Sequence, residues 1–387
     1  MHIIFFTHPN FIAHQSMPRY ANWLAEGMKR RGHTTAFRTA KAVFYNWPVP
    51  AFFKKWLSYI DQYIVFPRSI KQQIKTANPD TLFVFTDHAL GPWVPLAAGK
   101  KHVIHCHDFL AQRSALGQIP ENPTGWTGKQ YQSYIRSGYR KGKNFISVSK
   151  KTQADLHEFL GFMPRLSEVV YNGVNPVYKP GNAAEARKDL SSFLNIALHN
   201  GYLLHVGGNQ WYKNRTGVLE VYNVWRKTSN HTLPLLMVGS EPDNVMLEIQ
   251  QQSGYKQDIH FITGLNDDNL VKVYQGASLF LFPSLAEGFG WPIAEAMAAG
   301  TAVLTTNEAP MTEVAGDSAT LVDRKPHDEN LHASWAAQVA DAINARLNET
   351  GEQQASAIAA GLENIKRFDS EKGLDLIEQL YQKIVAE

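Results

Sequence analysis

The feature that most constrains the fold of this chain is a rhythm of short apolar runs separated by longer amphipathic stretches, and the rhythm occurs twice. The runs lie at residues 2–7, 81–86, 103–106, 145–148 and 169–171, and again at residues 202–206, 235–238, 259–261, 279–282 and 302–304. Such runs are typical of parallel strands that are buried on both faces. Strands that alternate with helices require right-handed crossovers. The sequence therefore predicts an α/β fold made of two doubly wound, Rossmann-like domains.

The length of the chain and its breaker residues place the domain boundaries. A chain of 387 residues is longer than one hydrophobic core usually organises. Prolines and a glycine interrupt regular structure at residues 175–181, so we expect one domain over residues 1–180 and another over 181–365. A final amphipathic helix, capped by Ser370, is predicted from apolar residues that share one face: Leu374, Ile377, Leu380, Tyr381 and Ile384.

Several broad classes of protein are excluded or disfavoured by composition. The single cysteine, Cys106, excludes an internal disulfide framework and a cysteine-based zinc site. The start of the chain lacks the basic region and the cleavage site of a signal peptide. No apolar stretch reaches the roughly 18 residues that a transmembrane helix needs. We therefore expect a cytoplasmic protein, which can also act at the inner face of a membrane.

The charge of the chain is unevenly distributed. Residues 1–180 contain 23 Lys and Arg against 9 Asp and Glu, whereas the remainder contains 15 against 26. Two explanations remain open: the basic half faces an acidic partner such as an anionic membrane surface, or the two halves attract each other. No nucleic-acid-binding motif accompanies the basic residues. Residues 44–66 combine aromatic side chains with Lys54 and Lys55, which suits an acceptor or interfacial element and equally a packed core.

The strongest chemical motif lies at residues 282–300, where a strand leads through a glycine-rich loop into a helix. Gly288 and Gly290 allow backbone N–H groups to approach a ligand, and Pro292 fits the first turn of the helix. The helix N-terminus favours an anion. Glu287 and Glu295 flank this phosphate-binding region. Their carboxylates can accept hydrogen bonds from the neutral hydroxyls of a sugar and a ribose.

A second motif, at residues 205–214, follows the first strand of the second domain. Gly207 and Gly208 open the loop, and Lys213 lies at its end. A loop in this position commonly contacts phosphate, and a compact ammonium suits the neutralisation of a leaving diphosphate.

The segment at 282–300 is similar to the E-x7-E motif of glycosyltransferase family four, whose members are retaining enzymes of the GT-B fold. Residues 18–33, 169–174, 258–264 and 313–316 resemble further family segments in the same order. The resemblance implies two Rossmann-like domains, a cleft between them, and a C-terminal helix over residues 366–387 that packs on the first domain.

The resemblance also implies roles for individual residues. Glu287 would contact the transferred sugar, Glu295 the ribose, and Lys213 the diphosphate, while His107 would face the transferred sugar. The remaining residues implied in binding the sugar donor are Gly207, Gly208, Gly264, Leu265, Gly288, Phe289 and Gly290.

The chain departs from the family pattern at two places. Many relatives carry an arginine where Gly208 or Asn209 stands here, and Arg215 is a candidate replacement. Many relatives also have a glycine pair before the first helix. In this chain Ser16 and nearby backbone amides are expected to bind phosphate there instead.

Two histidines and two aspartates allow more than one interpretation. His107 suits contact with a sugar, a structural hydrogen bond, or a metal site with His105, although a third ligand for such a site is not evident. Asp267 and Asp268 fit a helix start better than a metal-binding pair.

These features predict a metal-independent retaining hexosyltransferase that needs no cofactor. Its donor would be a nucleotide-diphosphate sugar, and its acceptor a saccharide or lipid-linked hydroxyl in polysaccharide or glycolipid assembly. Two rival functions remain: a non-catalytic nucleotide-sugar-binding partner in a glycosylation complex, and a nucleotide-sugar epimerase.

Overall fold

The structure is a computed structural model, and it describes residues 1–12 and 16–387. The chain forms two compact units. The first comprises Met1–Ile119, Pro123–Tyr171 and Glu371–Glu387, and the second comprises Pro120–Asn122 and Asn172–Ser370. Each unit contains a six-stranded sheet in which all strands are parallel. The predicted fold class, α/β with two Rossmann-like domains, is thus confirmed.

The first unit alternates strands and helices from its first residues. Its strands are β1 (His2–Phe6), β2 (Thr34–Arg38), β3 (Thr81–Phe85), β4 (His102–Cys106), β5 (Asn144–Ser147) and β6 (Leu166–Val169). Its helices are α1 (Ser16–Arg30), α2 (Ala51–Ile60), α3 (Phe66–Thr76), α4 (Val94–Ala97), α5 (Leu110–Ala115), α6 (Trp126–Tyr139) and α7 (Lys150–Leu160). A π-helical stretch, Asp61–Val65, joins α2 to α3, and a 3-10 helix spans His88–Trp93.

The strand order of this sheet is β2-β1-β3-β4-β5-β6. The chain proceeds from β1 to β2 on one side and then continues from β3 on the other side. The boundary between β1 and β3 is therefore the topological switch point of the sheet, where ligands of doubly wound folds usually bind.

The second unit also alternates strands and helices around a six-stranded parallel sheet, but its strand order is different. Its strands are β7 (Leu203–Gly207), β8 (Leu235–Gly239), β9 (Ile259–Ile262), β10 (Leu279–Phe282), β11 (Val303–Thr306) and β12 (Thr320–Val322). Its helices are α8 (Ala183–Leu194), α9 (Arg215–Thr228), α10 (Asn244–Gln252), α11 (Asp267–Gly276), α12 (Trp291–Ala298), α13 (Met311–Ala315), α14 (His332–Leu347) and α15 (Gly351–Ile365). Short 3-10 helices lie at Trp211–Lys213, Lys256–Asp258, Glu329–Leu331 and Lys366–Phe368. The order β12-β11-β10-β7-β8-β9 places its switch point between β7 and β10.

The last helix, α16 (Ser370–Ala386), packs on the first unit. Its apolar face joins a core with residues of β1 and α1, and the buried members from α16 are Leu374, Ile377, Tyr381 and Ile384. Outside this core, Arg31, the residue after α1, donates hydrogen bonds to Glu371 at 2.9 Å and to Asp375 at 2.5 Å. The helix therefore belongs to the first unit through both apolar packing and ion pairs.

The chain enters the second unit at Asn172, earlier than the boundary expected at residue 181. The reason is a backbone pairing within that unit. The N–H of Val174 donates to the carbonyl of Phe368 at 2.9 Å, and Val174 forms a parallel bridge with Asp369. The proline-rich stretch that follows therefore lies inside the second unit.

Candidate functional site

The residues of both predicted motifs meet at the switch point of the second sheet. Strand β7 ends at Gly207 and its neighbour β10 ends at Phe282. Because parallel strands present their carboxyl ends at the same edge, the two loops that follow them are adjacent. One loop contains Lys213 and the other contains Glu287.

Lys213 and Glu287 form a partly buried ion pair in this place. The 3-10 turn Trp211–Lys213 ends at Asn214, whose φ of 53° lies in the left-handed region that asparagine tolerates. This turn directs the Lys213 ammonium to Glu287, and Nζ lies 2.7 Å from Oε1. The two side chains are 13% and 8% exposed. The structure thus brings together two of the three residues predicted to be catalytic.

Two neighbouring groups fix the geometry of this pair. The hydroxyl of Ser284 donates to the same oxygen of Glu287 at 2.9 Å. The Lys213 ammonium lies 4.9 Å from the centre of the Phe282 ring, a distance at which a cation is attracted to the ring face. Ser284 was not among the predicted residues, although its place between the strand end and Glu287 is a usable sequence signal.

The glycine-rich loop leads from Glu287 into α12 as predicted. Gly290 begins the helix with a φ of 103°, which a residue with a side chain rarely adopts, and Pro292 lies in the first turn. Phe289 is buried, and the centre of its ring lies 5.5 Å from the centre of the Phe368 ring. The loop is therefore anchored by Phe289.

Glu295 lies in the second turn of α12. The hydroxyl of Tyr274 donates to Oε2 of Glu295 at 2.9 Å, and the ring of Tyr178 lies 5.7 Å from that of Tyr274. Burial, together with the nearby Glu295 carboxylate, raises the pKa of Tyr274 well above its usual value. Tyr274 therefore remains a hydrogen-bond donor and orients Glu295. No sequence motif pointed to this tyrosine.

Arg215 contacts the loop that contains Gly208. Its Nη1 donates to the carbonyl of Ser240 at 2.9 Å and also to Asn209. Among the residues that the structure describes, Nε and Nη2 of Arg215 have no hydrogen-bond partner. Burial lowers the pKa of this guanidinium. The arginine is hydrogen-bonded to the loop through Asn209, and its role as the second cation remains a prediction.

Comparison with known proteins identifies the family. The model for glycosyl transferases group 1 matches residues 166–358, and the model for Glycosyltransferase Family 4 matches residues 17–178. The chain belongs to glycosyltransferase family four. Its members share the GT-B fold that the two sheets display.

Individual relatives agree with this assignment. The chain is similar to the O-antigen chain mannosyltransferase B of Escherichia coli, with 30% identity over 176 residues that cover 44% of this chain and 43% of that protein. The chain thus matches less than half the length of that relative. Sucrose-phosphate synthase from Thermosynechococcus elongatus superimposes with a TM-score of 0.73 and 17% identity, over 100% of this chain and 99% of that one. HepE of Anabaena, solved in complex with UDP, has a TM-score of 0.72 and 15% identity, with coverage of 99% and 100%.

Gly264 and Leu265, which the family resemblance implies on the nucleobase side, lie between β9 and α11. Gly264 has a φ of 68°, and the Asn266 side chain caps α11 by accepting from the N–H of Asn269. Asp267 and Asp268 form the first turn of that helix, as predicted. Within residues 1–12 and 16–387, no group of three or more His, Cys, Asp or Glu side chains is placed to hold a metal ion.

The two remaining predicted residues lie in the first unit of this family member. His107 is buried just after β4, and its Nε2 donates to the carbonyl of Thr86 at 2.8 Å. Burial lowers the pKa of His107, which favours a neutral ring. Ser16 begins α1, and its side chain lies outside the described part of the structure. Their contacts with a sugar donor remain predictions.

His105 is held by two tyrosines in the core of the same unit. Its ring nitrogens form hydrogen bonds of 2.8 Å with Tyr20 and 2.7 Å with Tyr381. These bonds occupy both nitrogens, and burial lowers the pKa of His105 to about 3. This histidine is structural.

The aromatic segment at residues 44–66 is partly core and partly surface. Phe66 is buried, whereas large exposed side chains cluster at the start of α2 and just before it: Trp47, Phe52, Phe53 and Trp56. Lys54 donates to the carbonyls of Tyr45 and Trp47, so this lysine braces the segment. In the part of the chain that the structure describes, no helix is both long and apolar enough to cross a lipid bilayer.

Proposed function

We propose that this chain is a metal-independent retaining hexosyltransferase. It would transfer a hexose from a nucleotide-diphosphate sugar to a hydroxyl of a growing surface polysaccharide or glycolipid. The observation that carries the proposal is the Lys213–Glu287 ion pair at the β7–β10 switch point. A glycine-rich loop and an oriented carboxylate, Glu295, follow in the same segment.

The proposed chemistry begins with an exchange of partners at Lys213. The diphosphate of the sugar donor would bind near the Lys213 ammonium and the N-terminus of α12, both of which favour negative charge. Glu287 would then accept hydrogen bonds from hydroxyls of the transferred sugar. Glu295, held by Tyr274, would accept from the ribose.

Retention is proposed to proceed by attack on the face from which the phosphate leaves. The bond between the anomeric carbon and the phosphate oxygen breaks, and a bond to the acceptor oxygen forms on the same face. The acceptor proton passes to the departing phosphate oxygen, so the step needs no metal ion and no enzyme nucleophile. Lys213 would stabilise the negative charge that develops on the diphosphate.

The relatives support the substrate class. A related fold was solved with UDP, and a relative of similar sequence is described as an O-antigen chain mannosyltransferase. We therefore propose a UDP- or GDP-hexose as donor, and a saccharide or a lipid-linked saccharide as acceptor. The exposed aromatic side chains of α2 and the basic charge around them support action at an anionic, cytoplasmic membrane face.

A single assay separates this proposal from its two rivals. UDP-, GDP- and ADP-hexoses are screened by thermal shift, since a ligand at about 100 times its Kd adds about 2.7 kcal/mol of stability. The donor that stabilises the protein is then incubated without acceptor and followed by NMR. A transferase slowly releases free hexose whose first-formed anomer keeps the donor configuration. An isomerised nucleotide sugar would indicate an epimerase, and a bound but unchanged donor would indicate a non-catalytic partner.

A further inference from the structure

The chain that leads from β10 to Glu287 is held in place by its backbone carbonyls. Four consecutive carbonyls, at residues 282–285, each accept a hydrogen bond from a side chain. The groups that donate are, in order, the hydroxyl of Thr305 at 2.9 Å, the amide of Asn214 at 2.9 Å, the hydroxyl of Thr306 at 2.7 Å and the guanidinium of Arg324 at 3.0 Å. Because each peptide unit is planar, a bond to its carbonyl fixes the orientation of the whole unit. The path of the chain towards Glu287 therefore depends on these four side chains.

The fourth of these side chains differs from the others in its exposure. The first three are buried, whereas the side chain of Arg324 is 24% exposed. Its Nε donates to the carbonyl of Leu285, two residues before Glu287. The N–H of Leu285 in turn donates to the carbonyl of Tyr212, the residue before Lys213, at 2.7 Å. Leu285 is thus the point at which the chain is tied both to the Lys213 turn and to a guanidinium that water can reach.

Arg324 is itself held by a carboxylate from a distant part of the sequence. Its Nη2 donates to Oε1 of Glu121 at 2.6 Å. Glu121 lies in the segment Pro120–Asn122, which belongs to the second unit although the residues on either side of it belong to the first. Although burial raises the pKa of Glu121, the hydrogen bond from Arg324 brings it below its usual value. A second carboxylate, Glu308, lies 3.9 Å from Nε and is 52% exposed, so its attraction is weakened by water.

The planar guanidinium suits this double contact. Nε and Nη2 of Arg324 donate in fixed directions, one to a carbonyl and the other to a carboxylate. Hydrogen bonds that involve a charged group are stronger and shorter than those between neutral groups. A partly exposed ion pair contributes little to the free energy of unfolding. We therefore expect the effect of Glu121 to appear in the loop that contains Glu287 rather than in global stability.

We propose that Arg324 is a positioning residue for Glu287 and that Glu121 holds Arg324 in position. The role of Glu287 itself rests on the proposed function. With Glu121 in place, Arg324 fixes the carbonyl of Leu285, and the chain brings Glu287 to Lys213. Without Glu121, the last of the four carbonyls loses its fixed partner. The connection between α5 and α6, which contains Glu121, thereby acts on the loop that contains Glu287.

Hydrogen–deuterium exchange on the full chain, without substrate, measures how firmly this loop is held. The wild type is compared with Arg324→Ala, Glu121→Ala and the double variant. The peptide that contains Leu285 should exchange faster in both single variants, because the loop opens more often when its last carbonyl is released. The double variant should exchange no faster than Arg324→Ala, since the two residues act through one contact.

The matched control is Arg346→Ala, which breaks another partly buried ion pair of the second unit, 2.8 Å from Glu349. It should leave the Leu285 peptide at the wild-type rate of exchange. The unfolding temperature shows that each variant is folded, and if Arg324→Ala unfolds, Glu121→Ala decides in its place. A Leu285 peptide that exchanges at the wild-type rate in the deciding variant would overturn the proposal.

Initial rates with the identified sugar donor measure the consequence for turnover. Arg324→Ala should lower kcat by about 10-fold, the effect of losing one hydrogen bond to a charged group. The KM for the sugar donor should stay nearly unchanged, because the displaced group is the one at the reacting centre. Arg324→Lys keeps the charge but loses the two directed contacts, so it should recover only part of kcat. Faster exchange with unchanged kcat would overturn the positioning role. A wild type that transfers no sugar would refute the proposed function alone, since the exchange measurement needs no substrate.

Discussion

Lys213 and Glu287 are 74 residues apart in sequence, yet their side chains form an ion pair of 2.7 Å. The pair lies partly buried at the carboxyl edge of the second sheet, where Ser284 donates a hydrogen bond to Glu287. A buried charge that loses its partner is costly. The ammonium and the carboxylate therefore hold each other in place.

Replacement of Lys213 by alanine tests the role of the ammonium. We expect Lys213→Ala to lower kcat by about 10²- to 10³-fold, the effect of removing one group that stabilises transition-state charge. The measurement is the initial rate of nucleoside diphosphate release. Lys325→Ala breaks another lysine–glutamate pair of the second unit, at 2.6 Å from Glu220, and is the matched control. A kcat for Lys213→Ala close to that of the control would reduce Lys213 to a structural residue.

Chelation of divalent ions tests the proposed metal independence. Because Lys213 and the amides at the start of α12 would neutralise the diphosphate, turnover should be the same with and without excess EDTA. Initial rates with the identified donor decide the matter. Turnover that is lost in EDTA and restored by manganese or magnesium would contradict the proposed arrangement.

The free energy of unfolding should fall at acidic pH. A histidine that is buried and neutral in the folded protein takes up a proton when the chain unfolds, and acid therefore favours the unfolded state. Burial, aided by the charges of Arg215 and Lys213, lowers the pKa of His205 to about 3. The unfolded chain takes up a proton below a pH of about 6.5, so this part of the stability is complete above that pH and is lost progressively between about 6.5 and 3. For one histidine the loss amounts to about 2 kcal/mol between pH 6.5 and 5.

Denaturant unfolding at pH 7 and pH 5 measures this effect. His205→Asn should be less stable than the wild type at pH 7, but its stability should change less between the two pH values. His199→Asn alters an exposed histidine and should keep the wild-type pH dependence. Identical pH dependence in wild type and His205→Asn would contradict this account of the buried ring.

Membrane association should depend on the exposed aromatic side chains of α2. We expect the wild type to float with vesicles that contain phosphatidylglycerol but not with phosphatidylcholine alone. Binding should weaken with salt, because the Debye length falls from about 8 Å at 0.15 M to about 3 Å at 1 M. Phe52→Ser combined with Trp56→Ser should abolish flotation, whereas Trp126→Ser, which removes another exposed aromatic, should not.

The contribution of positive charge to vesicle binding is best tested at Lys55, because the Lys54 ammonium donates hydrogen bonds to backbone carbonyls. Lys55→Glu should weaken vesicle binding, since each basic residue near an anionic surface contributes about 1 kcal/mol. Equal flotation on neutral and anionic vesicles would contradict the contribution of charge. Absence of flotation from both at low salt would remove the membrane from the account and leave the transferase assignment in place.

The strands of both sheets show what sequence patterns can and cannot reveal. Central strands such as β1 and β10 are continuous apolar runs and were predictable within one or two residues. The edge strands β2 and β12 were missed, because edge residues are more exposed. The sequence of β2 contains two threonines and an arginine, and β12 has only three residues.

In the candidate site, too, some features could be predicted from the sequence and others could not. The spacing of Glu287 and Glu295, and the place of Lys213 after the first strand of its domain, are local signals that sequence reasoning can use. The contact between Tyr274 and Glu295 joins two different helices, and the Glu121–Arg324 contact joins two segments 203 residues apart. Such contacts depend on strand order, which the apolar rhythm alone does not specify.

The most direct test of the account compares the two carboxylates of the E-x7-E segment with one donor and one acceptor. Glu287→Ala should lower kcat by about 10²- to 10³-fold, because the transferred sugar loses its contact at the reacting centre. Glu295→Ala should instead raise the KM for the donor by about 10- to 100-fold, the effect of losing a hydrogen bond to a charged group. Small and equal changes in both parameters for both folded variants would contradict the assignment of this segment as the donor site.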